Sequence, residues 1–141
     1  MNIYRSLNEI TEYIDKNLEE EISYEVLAKI LGVNVYTMQR LFTMIAGISL
    51  SKYIRKRRLS SAGYDLYEGN LKVIDVAFKY QYDNATSFSR AFEKFHGIKP
   101  SLVNKETRLK NVQKMAKLLM FSPTFFTGEE SDQNAVITIK R

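Results

Sequence analysis

Along most of the chain apolar residues recur every three or four positions, the spacing that lines one face of an α-helix. Ile3, Leu7, Ile10, Ile14 and Leu18 form such a stripe opposite acids and asparagine, predicting a supporting helix over about 3–18. Ser23 offers an N-cap to a second helix, and Glu25 suits the positive end of its dipole. Val26, Leu27, Ile30 and Leu31 are expected to bury its inner side, and the small Ala28 admits a close neighbour. Gly32 can take the positive φ of a tight turn, and Asn34 can cap a third helix. In that helix Met38, Leu41, Phe42 and Ile45 fall at i, i+3, i+4 and i+7, so they face inward. Tyr36, Gln39, Arg40 and Thr43 are left facing out. Two helices across a glycine turn form a helix-turn-helix pattern.

The segment from Ser49 to Glu68 reads as one helix of about 20 residues, roughly 30 Å long, able to hold two small units apart. Leu50, Tyr53, Ile54, Leu59, Ala62 and Leu66 supply its apolar contacts. The Arg55–Arg58 cluster is expected to stay largely exposed or to meet an anion. Gly69 and Asn70 are expected to stop this helix and cap the next. Then the pattern repeats. Arg40, Phe42, Gly47 and Ile48 recur 50 positions on as Arg90, Phe92, Gly97 and Ile98, and Met38 is matched by Phe88. Ala28 recurs one position closer, as Ala77, so the second turn is one residue longer. A supporting helix over Leu71–Tyr80, a turn through Gln81, Tyr82 and Asp83, and a second outward-reading helix over about 85–95 follow. Phe88, Ala91, Phe92 and Phe95 face inward; Thr86, Ser87, Ser89, Arg90 and Lys94 point away. Pro100 opens a short closing helix, with Leu102 and Val103 packing back.

The predicted fold class is all-α: two helix-turn-helix subdomains, about 23–46 and 71–96, joined by a linker helix over about 49–68. A domain over 1–108 is followed by a tail, 109–141. In the tail 109–121 reads as a lysine-rich amphipathic helix and Ala135–Ile139 alternates like a strand, with loop between. A lone strand is marginal, so the tail is mobile, paired with another molecule, or the opening of a further domain.

Composition narrows the function. A length of 141 residues with 45% hydrophobic side chains fits one domain with a real core. There are no cysteines, which excludes disulfides, thiolate metal sites and cysteine nucleophiles and suits a reducing cytoplasm. His96 is the single histidine and cannot build a metal site alone; helix-end packing is the expected role. No run of about 18 apolar residues and no leader pattern occurs, so no membrane partner is expected. Glu19, Glu20 and Glu21 have no nucleophile or histidine beside them, so a solvated loop is expected rather than paired catalytic carboxylates, and no enzyme activity or cofactor is predicted. The net charge of +5 is unevenly placed: seven acids lie from Glu9 to Glu25, and none between Glu25 and Asp65. Within that acid-free stretch stand Lys29, Arg40, Lys52, Arg55, Lys56, Arg57 and Arg58, a segment suited to a polyanion. Tyr, Gln, Arg and Thr side chains can bond base edges or phosphates, and a helix fits the major groove. Double-stranded DNA is the expected partner. The alternative is a helical interaction module docking another regulator or RNA polymerase.

The paired units, the basic linker and the closing pattern Phe88-x-x-x-Phe92-x-x-Phe95-x-Gly97-x-x-Pro100 together resemble the DNA-binding domain of the AraC/XylS family of bacterial transcription regulators. The resemblance runs from about Ile3 to Asn104, and its most specific piece is Val76-Ala77, Phe88-Ser89-Arg90-Ala91-Phe92, Gly97 and Pro100. It implies a monomer with two recognition helices in successive major grooves, and contacts from Tyr36, Gln39, Arg40, Thr86, Ser87 and Arg90. Thr43, Ser89 and Lys94 complete the outward faces. The chain departs from the family pattern at Gln81, where glycine is usual, at Lys99 before Pro100, and at Ala85, which offers no hydrogen bond. The larger sensor or dimerisation domain of many relatives is not found before Met1, and any counterpart is expected after the tail. If Gln81 is left-handed it is strained by about 1–2 kcal/mol. Gln81→Gly should then gain stability narrowly over glycine's cost of roughly 0.5–1 kcal/mol.

Overall fold

Side-chain caps set where the helices begin. In the computed structural model, which describes residues 2–104 and 106, Asn2 accepts the Tyr4 and Arg5 N–H groups at the start of α1, Ile3–Lys16. Ser23 accepts from Val26 and opens α2, Tyr24–Leu31. Asn34 opens α3, Val35–Ala46, and Ser49 opens α4, Leu50–Glu68. Then come α5, Val73–Lys79, and α6, Ala85–His96, followed by a single 3-10 turn over Pro100–Leu102. The described residues are all-α, as expected. The expected helix over 109–121 and strand over 135–139 lie outside them.

The first unit is α1, α2 and α3, and the second is α5 and α6 with the 3-10 turn; α4 packs against α3 on one side and against α5 and α6 on the other. Leu7, Ile10, Ile14, Leu27, Leu31, Met38 and Phe42 fill the first core, and Val76, Ala77, Phe88 and Phe92 the second. The apolar stripe of α4 changes sides halfway along. Leu50, Tyr53 and Ile54 meet the first unit, where the Tyr53 ring lies 5.5 Å from that of Phe42. Leu59, Ala62 and Leu66, on the other face, serve the second. There the Leu59 carbonyl accepts from His96 Nε2 at 2.8 Å, and Asp65 accepts from Lys79 Nζ and Tyr80 Oη, each at 2.7 Å. His96 is therefore packing at the helix end, wedged against Phe92 and Phe95, and burial pushes its imidazole below the ordinary value.

Four expectations about apolar side chains and helix ends are corrected. Val26, expected inside, is 37% exposed, because α2 is only eight residues long and Leu27, Ala28 and Leu31 already fill its contact with α1 and α3. Leu102 is 60% exposed: the closing turn is 3-10 and buries Pro100 instead, leaving Val103 half-buried. Asn70 does not cap α5. It sits at φ 75°, continuing the reversal begun at Gly69, and Lys72 precedes α5 without a side-chain cap bond. The supporting helix accordingly starts at Val73 rather than Leu71.

The largest departure is in the arginine cluster. Arg57 is buried and donates from both Nε and Nη2 to Asp15 Oδ1, at 3.0 and 2.9 Å, tying the linker to α1. Arg58 donates to the carbonyls of Leu18 and Glu20, at 2.9 and 2.7 Å, and so fastens the α1–α2 loop. Burial pushes the Asp15 carboxyl above its ordinary value more strongly than the Arg57 charge lowers it. A pair desolvated in this way adds little by existing but costs much when broken. Asp15→Ala should therefore lose stability toward the lower end of about 3–5 kcal/mol, since the Asp15 side chain keeps 24% exposure. The double change Asp15→Leu with Arg57→Met should lose far less, read as urea midpoints at unchanged slope.

Candidate DNA interface

Helices α3 and α6 are built alike. Asn34 accepts the Thr37 N–H and Asn84 the Ser87 N–H, each at 2.8 Å, and each helix runs 12 residues to a left-handed glycine, Gly47 at φ 75° and Gly97 at φ 79°. From Met38 to Leu50 and from Phe88 to Pro100 the sequence of buried, half-buried and exposed positions is identical. The 50-residue repeat is thus a repeat of geometry, and residues at matching positions occupy matching places.

On α3 the outward face carries Tyr36, 68% exposed, with Arg40 and Thr43 exposed and Gln39 half-buried. Arg40 Nη1 donates to Tyr36 Oη at 3.3 Å and its guanidinium lies 5.7 Å from the Tyr36 ring centroid. The arginine is thereby steadied over an aromatic ring while most of its donors stay available. The Thr43 hydroxyl donates to the Gln39 carbonyl at 2.9 Å, which leaves its oxygen as an acceptor for a ligand. On α6 Thr86, Ser87, Arg90 and Lys94 are exposed and Ser89 is half-buried. The Ser87 hydroxyl turns back to the Asn84 carbonyl at 3.4 Å, so Ser87 serves the helix start first. Every predicted outward residue lies on the surface of its helix, but the two faces differ in reach: Tyr36 and Gln39 are matched by the much shorter Thr86 and Ser89.

The linker adds cations of its own. Lys52 and Arg55 are exposed and Lys56 half-buried, and with Lys94 of α6 they line a groove of about 410 Å³ floored by Leu59, Ala91 and Phe95. The sequence grouped Arg55 to Arg58 as one cluster. In the fold Arg57 and Arg58 are spent on Asp15 and two carbonyls, while Lys52, three residues upstream of Arg55 and so one helical turn away, joins the outward set. Among the described residues no group of three or more His, Asp or Glu could hold a metal ion, and no helix is long and apolar enough to cross a membrane.

A helix-turn-helix domain model matches residues 27–106. The HTH-type transcriptional activator AarP of Providencia stuartii is 41% identical over 96 residues, spanning 68% of this chain and 71% of that protein. The chain belongs to the AraC/XylS family. An AraC-type DNA-binding-domain protein from Chromobacterium violaceum superposes with a TM-score of 0.64 at 25% identity, covering 69% of this chain and 87% of that one. The DNA-binding domain of AdpA, solved with a target DNA, has the same fold, with a TM-score of 0.61 at 21% identity over 68% of this chain and 86% of that one.

The departure from the AraC/XylS pattern at Gln81 has a structural answer. Val33 N–H bonds to the Ala28 carbonyl and Tyr82 N–H to the Ala77 carbonyl, so Gln81 stands where the first unit has Gly32. Both are left-handed, Gly32 at φ 78° and Gln81 at φ 73°. The extra residue of the second turn is Asp83, inserted before the cap Asn84. The Gln81 side chain donates from Nε2 to the Glu19 carbonyl at 2.8 Å, a bond from the second turn to the loop of the first unit. Glycine there would relieve about 1–2 kcal/mol of strain. It would also bring its entropy cost of roughly 0.5–1 kcal/mol and lose a bond worth about 0.5–1.5 kcal/mol. The narrow gain expected from the strain alone is cancelled. Gln81→Gly should unfold within about 0.5 kcal/mol of the parent, whereas Gln81→Met, which keeps the strain and loses the bond, should lose about 0.5–1.5 kcal/mol. A clear gain for Gln81→Gly in urea unfolding would show that the bond contributes nothing.

Proposed function

We propose that this protein is a sequence-specific DNA-binding transcription regulator that inserts α3 and α6 into successive major grooves. The observation that carries the reading is the duplication itself: one polar, arginine-bearing helical face presented twice, in one register, on units clamped to a single linker helix. A chemistry confined to one site would not need its surface repeated at matched burial 50 residues apart. The family supports it, as do the similarity to AarP, a transcriptional activator, and the fold shared with the DNA-binding domain of AdpA, solved with a target DNA. Both recognition helices belong to one chain, so a monomer suffices in this reading.

The residues divide by role. Tyr36, Gln39 and Arg40 of α3, with Thr86, Ser89 and Arg90 of α6, face the bases; an arginine fork suits guanine O6 and N7. Lys94 and the linker cations Lys52, Arg55 and Lys56 serve phosphates, positioning the chain without reading sequence. Thr43, its proton held by the Gln39 carbonyl, offers an acceptor oxygen toward the groove, and Ser87 donates to DNA only on leaving the Asn84 carbonyl. Footprinting should give two protected clusters about one helical turn, roughly 34 Å, apart on one face of the duplex. A single short patch would leave one unit unengaged. Arg40→Ala should lose about 1–3 kcal/mol on the selected site and much less on random duplex; equal losses on both would make Arg40 a phosphate contact.

The linker cations separate from the structural arginines, Arg57 and Arg58, in a salt titration. Each phosphate contact removed should flatten the dependence of log K on log salt by about 0.9. Arg55→Ala and Lys52→Ala are expected to do so with folding unchanged, because both side chains are exposed and outside the Asp15 pair. Unchanged slopes for both would take the groove beside α6 out of the interface.

A further inference from the structure

We infer that Glu93 is a specificity-determining residue of the second unit, selecting a base that offers an amino donor, cytosine first, at one position of one strand in the second groove. The inference rests on the DNA-binding reading given above. Register brings Glu93 forward: it stands 50 residues after Thr43 and seven after Thr86, so it lies on the outward face of α6 beside Arg90, in the place that threonine holds on α3. It is exposed, as Thr43 is.

A carboxylate there does nothing for the fold. It stands in the last turn of α6, where the helix dipole disfavours negative charge. Arg90, three residues back, is near enough on a helix to pair with it and does not; among the described residues the Glu93 carboxylate has no hydrogen bond or ion pair. Its backbone serves the helix end, the carbonyl accepting from Gly97. On a face that approaches a polyanion such a side chain weakens association with every sequence, unless a donor meets it. The major groove supplies donors only on base edges: the exocyclic amines of cytosine and adenine, of which a carboxylate suits cytosine N4. At guanine or thymine it would face acceptor oxygens and be left desolvated and unpaired. Glu93 thus discriminates chiefly by rejection, a different means from the attraction exerted by Arg40 and Arg90.

The test is selection from random duplexes with the parent protein, Glu93→Thr and Glu93→Gln, with urea unfolding to confirm unchanged folding. The parent should demand cytosine at one position of the second cluster, by tenfold or more over guanine or thymine. Glu93→Thr, which copies the first unit, should flatten that position alone. Glu93→Gln should move it toward adenine, whose N6 and N7 an amide can pair with together. Identical base preferences in all three proteins, with affinity changed by the same factor on selected and random duplex, would overturn the inference and leave Glu93 as a repeller of phosphates. A parent that selects no sequence would overturn the DNA-binding reading beneath it.

Discussion

The linker helix must bury opposite faces in its two halves, and the placement of everything else follows from that constraint. Over 19 residues, roughly 28 Å, α4 gives Leu50, Tyr53 and Ile54 to one core and Leu59, Ala62 and Leu66 to the other. A helix that is apolar on alternating sides cannot bend or roll without stripping one unit, because interiors are packed too closely to deform gradually. Its polar residues do the remaining work. Arg57 reaches Asp15 of α1, Arg58 holds the loop between α1 and α2, and Asp65 collects Lys79 and Tyr80 at the end of α5. The α1–α2 loop meets both halves, since its Glu19 carbonyl also accepts from Gln81 of the second turn. Two small units, each too slight to hold its own orientation, are thus joined by charge-assisted bonds at the seam and by hydrophobic burial along the axis.

That rigidity gives the two turns their importance. The angle at which a recognition helix leaves its supporting helix is set within a few residues, and in each unit a left-handed residue makes the reversal, Gly32 in one and Gln81 in the other. Glycine takes that conformation freely, whereas glutamine is strained there but gains the bond to Glu19 that glycine could not make. A strained residue persists where its surroundings over-determine it. Here the surroundings include the other unit, so the second turn is fixed partly from outside its own helix pair.

Periodicity and caps made most of the helical plan legible. The inward stripe of α3, the Ser23 and Asn34 caps, the repeat at 50 residues and the one-residue-longer second turn are signals carried by residue type and spacing, and the structure places each of them as read. That the extra residue is Asp83, before the cap Asn84, was seen only in the fold. What escaped was set by contacts distant in sequence. Nothing near Arg57 announces Asp15, 42 residues away, so a run of four basic residues read as one surface when it is two exposed or half-exposed side chains and two structural ones. The exposure of Val26 and Leu102 likewise follows from how little area a short helix and a 3-10 turn bury, which hydrophobicity alone does not reveal. Among the proposed contacts, outward direction was legible from period. The hydroxyl bonds of Thr43 and Ser87 to their own backbones, which reduce what each can offer, were not.

The two outward faces are alike in geometry and unlike in chemistry, and this inequality bears on how a duplex would be read. The first presents Tyr36, Gln39 and a ring-supported Arg40, long side chains rich in donors. The second presents short hydroxyls around Arg90, with Glu93 among them and Lys94 turned toward the cations of the linker. Symmetric dimers of one recognition helix call for palindromic sites, because the protein's two-fold axis is mirrored in the DNA. A single chain carrying two different faces has no such axis, so the sites it would read are asymmetric and it would lie on them in one orientation. With α4 holding both faces, that orientation would also fix on which side of the site the rest of the molecule is presented. The chemical difference between Thr43 and Glu93 is therefore as much a part of the design as the repeat that makes the two positions comparable.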